Sequence, residues 1–545
     1  MQSITGKLID IFSRDIYSAK ITILNGIIHS VERTMEDAEN YILPGFIDAH
    51  VHIESSMLVP TSFAQLAVIH GTVATVSDPH EIANVCGIPG VQYMIDNSRH
   101  TPFKFFFGAP SCVPATNFET AGAVIGAEDI YTLLHNPDIW YLAEMMNYPG
   151  VLFKDPQVMA KLDAAQKAGK PIDGHAPGLR GNDVINYAGA GITTDHECFT
   201  LDEALDKLAA GMKILIREGS AARNYEALHP LLSSHPGKIM FCSDDKHPDE
   251  LVLNHIDNLV KRSLQKGYNL FDILHAACVL PVQHYNLPVG LLREGDAADF
   301  IVIDNITANF RVLQTYINGE LTAENGKSLL PFKEVKPINN FNTNARKPKD
   351  FAIPAIDDHT VMHVIEAIDG QLITNDLRMD AIIKNGYAMP DVSQDILKIA
   401  VVNRYTPNAP VATAFIKNFG LTHGALASTV AHDCHNIIAV GADDASICAA
   451  VNELIKHKGG IAVATDEHNV QSMPLSVAGL MSDANGHDVA AAYTAIDAKA
   501  KELGTKLRSP FMTLSFMALL VIPSLKLSDK GLFNGKDFKF VPVIV

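Results

Sequence analysis

The chain has 545 residues, of which 47% are hydrophobic and 19% charged, and its formal net charge is −18 at pH 7. That length exceeds one ordinary core, so we expect a large domain with smaller companions, and the composition excludes a disordered protein. The acidic balance argues against nucleic acid as a partner and favours a small neutral or cationic substrate.

The cysteines and the apolar runs bear on the compartment. Seven cysteines follow no repeated spacing, which indicates a reducing, cytoplasmic location and no disulfide framework. Met1 to Asp10 lacks the features of a secretory signal. The apolar stretch Phe511 to Ile522 is shorter than the roughly 20 residues that span a bilayer. We expect a soluble protein without membrane contact, and a homodimer or larger homo-oligomer is compatible with its acidic surface.

Residues 1–42 predict a small β unit. Ala19 to Leu24 and Gly26 to Val31 are β-type runs, and the Asn25-Gly26 pair between them favours a tight hairpin.

From residue 43 to residue 285 the pattern changes to short apolar runs that end in polar residues and precede helix-length stretches. This alternation is typical of a parallel sheet with crossover helices, and eight runs are the number that closes a (β/α)8 TIM barrel. The clearest helix is Pro156 to Ala168, which Gly169 ends. The eight runs are Phe46–His52, Val73–Pro79, Phe103–Pro110, Ile139–Met146, Pro171–Ala176, Ile192–Glu197, Met212–Glu218 and Lys238–Asp245.

Three further regions follow the barrel. Residues 286–330 contain strand-like runs that cannot extend a closed barrel, so we pair them with residues 1–42 in one small discontinuous β domain. Residues 331–350 are rich in Lys, Pro and Asn and predict a linker. Residues 351–545 mix strand-like runs such as Ile396–Val402 with a helix near Ser446–His457, which predicts a C-terminal α/β domain.

The strongest chemical signal is His50-Val51-His52 at the end of the first run. Alternation along a strand puts both imidazoles on one side, and the end of a barrel strand is where active sites of this fold are built. Imidazoles are common ligands of transition metals, although two hydrogen-bonded histidines at a strand end would look the same.

Candidate ligands recur at the ends of later runs. Glu144 ends the fourth run, His175 the fifth, His196 the sixth and Asp244 the eighth. Any one of them is more often a cap or a surface group, but all four project into the same cavity if the barrel closes.

In this order of ligands the chain resembles the amidohydrolase superfamily, which holds one or two divalent metals. Gly290 to Phe300 resembles the segment with which that superfamily re-enters its β domain. Many members bridge two metals with a carboxylated lysine on the fourth strand, and here Glu144 offers a permanent carboxylate. The resemblance implies His50, His52, Glu144, His175, His196 and Asp244 as ligands of two ions, Mn or Fe, with Zn as an alternative.

Five segments are similar to the adenine-deaminating branch of that superfamily: His52–Met57, Ser77–Asn84, Phe241–Pro248, Gly424–Asn436 and Gly479–Ser482. This resemblance implies hydrolysis of adenine to hypoxanthine and ammonia, in purine salvage. Two divalent ions would lower the pKa of a water, and the hydroxide would attack C6 while Asp244 carries a proton to the departing amine. A protonated acid must also serve the neighbouring ring nitrogen, and Glu81 is the candidate.

Several polar residues near these ligands keep two interpretations. Asp78, His80 and Glu81 form either part of the site or an N-terminal helix cap. Glu54 and Asp245 are expected to orient the ligating imidazoles. Arg217 either contacts a ligand or pairs with Glu218.

The cluster His432-Asp433-Cys434-His435 is a metal site, a lid over the barrel mouth or a polar turn, and a polar turn is the favoured interpretation.

Two other classes of function stay open. A dihydroorotase- or hydantoinase-type cyclic amidohydrolase would use the same ligands, but the missing lysine of the fourth strand argues against it. A metal-binding scaffold without turnover is the non-enzymatic alternative. The zinc deaminases of nucleic-acid bases are excluded, because their Pro-Cys-x-x-Cys motif does not occur in the sequence.

Overall fold

The computed structural model, which describes residues 1–355 and 360–545, contains a parallel barrel flanked by a small β sheet and a C-terminal α/β domain. The predicted fold class, an α/β protein built on a (β/α)8 barrel with two companions, is confirmed.

Each of the eight predicted runs overlaps a strand of the barrel. Strands one to five pair in one parallel group and strands six to eight in another. A parallel bridge from Val51 to Asp244 closes the ring between the first strand and the end of the eighth. We number these barrel strands 1 to 8 in chain order: Phe46–Val51, Thr72–Ser77, Lys104–Ala109, Ile139–Met145, Ile172–Gly174, Thr194–Asp195, Lys213–Arg217 and Ile239–Cys242.

Helices cover the outside of the barrel, so its strands are buried on both faces and consist of nearly continuous apolar runs. The predicted helix Pro156–Ala168 is observed as Pro156–Lys167, and the Asp155 carboxylate caps it by accepting from Gln157 N and Val158 N. The remaining helices of this region are Pro60–Ala67, His80–Cys86, Ile88–Ser98, Ala127–Leu134, Tyr148–Leu152, Gly181–Gly189, Leu201–Ala209, Tyr225–Leu228, Leu231–Ser234, Pro248–Leu251, Ile256–Gln265, Leu270–Leu274 and Leu280–Tyr285, with a π-helical turn at His275–Val279.

Segments from both sides of the barrel share the small β sheet. Tyr41–Pro44 pairs with Phe300–Ile303, with Leu43 opposite Ile301, and leads directly into barrel strand 1. The sheet therefore anchors the start of the strand that carries His50 and His52. Its other strands are Gln2–Asp10, Asp15–Leu24, Ile27–Arg33, Val312–Ile317, Glu320–Glu324 and Lys327–Ser328.

The C-terminal domain lies against the carboxyl ends of the barrel strands. Ser482 N donates to Met57 O at 2.8 Å, and the Asn436 amide donates to Thr120 O at 2.9 Å. These contacts bring the turn around residues 431–436 to the barrel mouth. The main sheet consists of Val361–Ala367, Thr374–Asp380, Ile396–Val402, Val411–Lys417, Ala425–Ser428, Ile437–Gly441, Gly460–Ala464 and Val470–Pro474.

Among the described residues, three α-helices and two small sheets complete this domain. The helices are Asp444–His457, Gly486–Glu502 and Pro510–Phe516, and the small sheets are Ile353–Pro354 with Ile382–Lys384 and Tyr387–Met389, and Leu525–Ser528 with Gly531–Asn534 and Lys539–Phe540. Across the described ranges, no helix combines the length and the apolar character needed to cross a bilayer.

Candidate metal centre and active site

His50 and His52 face each other at the carboxyl end of barrel strand 1. Their Nε2 atoms lie 3.2 Å apart, as the alternation of strand side chains predicts. Asp244, two residues beyond barrel strand 8, lies across from them, with Oδ1 3.3 Å from His52 Nε2 and 3.7 Å from His50 Nε2. Asp244 has a φ of +56°, a left-handed conformation that turns its side chain into the barrel mouth.

Glu144 lies between two groups of histidines. Its Oε1 is 3.2 Å from His52 Nε2, while its Oε2 is 2.7 Å from His175 Nδ1 and 3.2 Å from His196 Nε2. Burial would raise the pKa of Glu144, but the surrounding histidines outweigh it and hold the pKa well below its usual range. The structure thus brings together all six predicted ligands, each of them buried.

The donor set fits divalent metal ions. Two imidazole nitrogens that face each other at 3.2 Å can share one proton at most, so their convergence is better satisfied by a cation between them. His50 Nδ1 and His175 Nε2 are buried and have no hydrogen-bond partner in the part of the chain that the structure describes. Imidazole and carboxylate donors without a thiolate suit Mn, Fe or Zn.

Arg217 does not pair with Glu218. Its guanidinium donates to Asp244 and, at 2.8 Å, to Glu197 Oε2. Glu218 pairs instead with Arg262 at 2.6 Å. Burial would raise the pKa of Asp244, but the Arg217 cation and His52 outweigh it and keep that pKa well below its usual value.

Asp78 and His80 combine both interpretations that the sequence left open. Asp78 Oδ1 accepts from His80 N at 3.0 Å, which serves the start of the helix His80–Cys86. The His80 ring nevertheless lies beside the cluster, with Nδ1 3.1 Å from Asp78 Oδ2 and 3.5 Å from Glu144 Oε1.

Glu81 is buried beside a histidine of the C-terminal domain. Its Oε1 lies 3.0 Å from His432 Nδ1 and 2.9 Å from Ser55 Oγ. Burial would raise the pKa of Glu81, but the neighbouring His432 reverses this and lowers it. Conversely, burial would lower the pKa of His432, but Glu81 and Asp245 outweigh it and raise it to about 9. Glu81 is thus a carboxylate in this structure, and the proton of the pair lies on His432.

Glu54 and Asp245 lie behind these groups. Glu54 Oε1 accepts from Ile82 N at 3.2 Å, and burial together with repulsion from Glu81 raises the pKa of Glu54 to about 8. Asp245 accepts from Ser55 Oγ at 2.5 Å, and burial and the neighbouring Asp244 raise its pKa to about 6. Neither carboxylate accepts one of these hydrogen bonds from a ligating imidazole, so their predicted orienting role stays a prediction.

The C-terminal domain supplies one wall of the cavity, at the barrel mouth where the sequence analysis had considered a lid as one of three interpretations of residues 432–435. Residues 432–434 form a turn, as favoured, but the turn is buried at the barrel mouth. The sequence analysis also did not single out Glu197. Its position directly after the predicted ligand His196 is the signal that could have identified it. The cavity wall from this domain consists of Leu372, His432, Asp433, Phe516 and Leu519.

Two family profiles match the chain. The amidohydrolase family matches residues 41–322, and the adenine deaminase C-terminal domain matches residues 371–539. The first profile includes all six clustered ligands, and the second includes the turn that carries His432.

Relatives of similar length match over nearly the whole chain. An adenine deaminase of Sulfurovum sp. (strain NBC37-1) is 55% identical over 534 residues, which cover 98% of each chain. An adenine deaminase of Salinibacter ruber is 53% identical over 540 residues, covering 99% of this chain and 98% of the relative. Among solved structures, a dihydropyrimidinase from Brevibacillus agri NCHU1002 aligns with a TM-score of 0.47 and 13% identity, over 60% of this chain and 96% of that chain.

Proposed function

The chain belongs to the adenine deaminases of the amidohydrolase family, and from this we propose that it hydrolyses adenine to hypoxanthine and ammonia. The observation that carries the proposal is that identity above 50% extends over both the barrel and the C-terminal domain, and both domains line the same cavity. The reaction balances as adenine plus water giving hypoxanthine plus ammonia.

The metal ligands in this proposal are His50, His52, Glu144, His175, His196 and Asp244. Glu144 is the shared residue, because its two oxygens face different histidines. Two divalent ions held there, Mn or Fe with Zn as the alternative, would act as Lewis acids that lower the pKa of a water toward neutrality.

Asp244 is the proposed proton carrier. Its Oδ1 faces the cavity while Arg217 occupies Oδ2, so one oxygen is free to accept a proton from the water that adds to C6. The same carboxylate then returns that proton to the exocyclic amine, and the C6–N bond breaks to release ammonia.

The ring nitrogen next to C6 gains a proton as water adds, and we assign this donation to the Glu81–His432 pair. His432 holds the proton before transfer, and Glu81, the acid expected from the sequence, serves here as the carboxylate that orients the imidazole. The proton returns to the pair when the hydroxyl on C6 becomes the carbonyl of hypoxanthine, so no net proton is consumed.

Ammonia release from adenine tests the proposed function. The protein loaded with Mn or Fe should convert adenine to equal amounts of ammonia and hypoxanthine. An ammonia assay measures the first product and chromatography the second. Dihydroorotate and hydantoin serve as competing substrates, and ring opening of either without ammonia from adenine would sink the proposal. Asp244→Asn, prepared in the same way, should be inactive and thereby exclude a contaminating deaminase.

Three broader assignments accompany the activity. Purine salvage follows from the products, and a cytoplasmic location is supported by seven buried or half-buried cysteines that are all free thiols. A homodimer is the proposed oligomeric state. Light scattering of the purified protein measures the oligomeric state directly.

A further inference from the structure

His432 places at the cavity wall an imidazole nitrogen that has no partner among the described residues. His432 is 2% exposed and comes from the C-terminal domain, and its Nδ1 lies 3.0 Å from Glu81 Oε1. Its Nε2 is buried and forms no hydrogen bond with any described residue. The nearest acid, Asp245 Oδ1, lies 3.9 Å from that nitrogen, which is beyond hydrogen-bond distance. An unpaired buried donor of this kind is costly unless a ligand satisfies it.

The ring of His432 is held on its edge and on its face. Glu81 fixes the Nδ1 edge, and Ser55 Oγ lies 2.9 Å from the same Glu81 oxygen. The Phe516 ring stacks on the imidazole with centroids 4.7 Å apart and an angle of 15° between the planes. The position of Nε2 is therefore defined before any ligand arrives.

The charges around His432 favour the doubly protonated ring. The carboxylates of Glu81, Asp245 and Asp433 lie within 4 Å of its nitrogens. His435 and His247 also lie near this ring, but burial, together with the charge of His432, lowers their pKa values, so both are neutral at pH 7 and add no opposing charge. With Nδ1–H directed at Glu81, the second proton makes Nε2 a hydrogen-bond donor.

A third metal site at Glu81, His432 and His435 is the competing explanation, because their ligand atoms lie within 4.8 Å of one another. His435 Nδ1 accepts a hydrogen bond from Ala431 N at 3.2 Å, so in the neutral ring the proton lies on Nε2. A protonated nitrogen cannot ligate a metal, which leaves two ligands at most.

We propose that His432 is a substrate-binding residue contributed by the C-terminal domain, and that its Nε2–H donates a hydrogen bond to a ring nitrogen of the purine. Glu81 and Phe516 are positioning residues in this arrangement. The proposal rests on the proposed function, since it takes a purine base as the ligand. It explains what the second domain adds to a barrel that already carries all six metal ligands.

The test is a double-mutant cycle between His432 and the ring nitrogens of the ligand. His432→Phe keeps a ring that stacks on Phe516 but removes the donor, and His432→Gln restores a donor near Nε2. The ligands are 1-deaza-, 3-deaza- and 7-deazaadenine, each of which lacks one ring nitrogen of adenine. Their inhibition constants against adenine are measured on the metal-loaded protein. Loss of a hydrogen bond to a charged group should weaken binding by roughly 10- to 150-fold.

In the wild type, one deazaadenine should bind more weakly than the other two by this factor. The difference should vanish in His432→Phe and persist in part in His432→Gln. His363→Phe is the matched control, since His363 is a buried histidine of the same domain that pairs with Asp376 at 2.7 Å outside the cavity. This control should retain the wild-type pattern.

An unchanged pattern of inhibition in His432→Phe would overturn the proposal. If that variant does not fold, the cycle is run with His432→Asn, which keeps a polar group only near the Nδ1 position. Failure of the wild type to deaminate adenine would count against the proposed function instead, so the two hypotheses fail in different measurements.

Discussion

The guanidinium of Arg217 and the carboxylate of Asp244 form a buried ion pair at the ends of barrel strands 7 and 8. Arg217 also pairs with Glu197, so one cation serves two carboxylates beside the metal cluster. This arrangement occupies one oxygen of Asp244 and leaves the other facing His50 and His52. The proton-accepting oxygen is thereby selected by the pairing of its neighbour.

Replacing Arg217 by Met should lower kcat and shift the acidic limb of the kcat/KM profile to higher pH. Without the cation the pKa of Asp244 rises, and because the carboxylate must be ionised to accept a proton, activity is lost at a higher pH than in the wild type. Arg217→Lys retains a charge and should shift the limb less. A pH–rate profile from pH 4 to 9 measures this, and an acidic limb that does not move in Arg217→Met would contradict the expectation.

Replacing Glu144 by Gln should empty the metal centre. The amide has one oxygen in place of two and carries no charge. It therefore cannot be a ligand shared by ions at both groups of histidines that face the carboxylate. Metal analysis should show less than one tenth of the wild-type content, with activity reduced at least as far. Glu119→Gln is the matched control, because Glu119 is also a buried glutamate but lies outside the ligand cluster. A Glu144→Gln protein with full metal content would disprove the shared-ligand role.

The six ligands were accessible to sequence reasoning because each is tied to a strand end. In a parallel barrel the carboxyl ends of all strands meet at one rim, so local patterns around His50, Glu144 or Asp244 carry three-dimensional information. Alternation along the strand placed His50 and His52 on one side, and the measured separation of 3.2 Å agrees.

The contribution of the second domain had no such local signature. His432 follows the ligand Asp244 by almost 190 residues, and how the two domains pack depends on contacts such as Ser482 with Met57 that no periodicity encodes. A short polar segment flanked by strands is typical of an exposed turn, and only packing against the barrel mouth buries it. For Arg217 and Glu218, alternation does place the two side chains on opposite faces, which argues against their pairing.

Replacing Asp48 by Asn should destabilise the fold and weaken the contacts that position the end of barrel strand 1 beside the metal ligands. Asp48 Oδ1 accepts from Ser243 N at 2.9 Å, and Oδ2 lies 2.8 Å from His255 Nε2, so one buried carboxylate joins barrel strand 1 to the segment after strand 8. An amide nitrogen in place of either oxygen faces a donor, at a cost of about 1–3 kcal/mol.

The midpoint of thermal unfolding should fall by several degrees in Asp48→Asn, as measured by circular dichroism. Asp138→Asn is the control, since Asp138 is an exposed carboxylate whose ion pair with Arg99 contributes little. Equal midpoints for the two variants would show that the Asp48 network does not stabilise the closed barrel.

Lys526 predicts a pH dependence of stability that can be isolated with one variant. Its buried Nζ donates to Leu372 O at 2.5 Å and to Phe516 O at 2.9 Å. Both of these residues line the cavity. Burial lowers the pKa of Lys526 to about 7, against roughly 10.4 in an unfolded chain. Below pH 7 both states hold the proton, so this lysine contributes no pH dependence there.

Between pH 7 and about 10.4 the unfolded state binds the proton and the folded state releases it, so the free energy of unfolding rises with pH. Relative to Lys526→Met, the wild type should therefore gain stability on going from pH 7 to pH 10, by at most a few kcal/mol at about 1.4 kcal/mol per pKa unit. Lys530→Met is the control, because Lys530 donates to two carbonyls, Asn117 O and Glu119 O, but is exposed. Urea unfolding at a series of pH values measures the difference. Parallel curves for the wild type and Lys526→Met would mean that the buried amine keeps its proton, and that the Leu372 and Phe516 walls are held together by a charge at every pH tested.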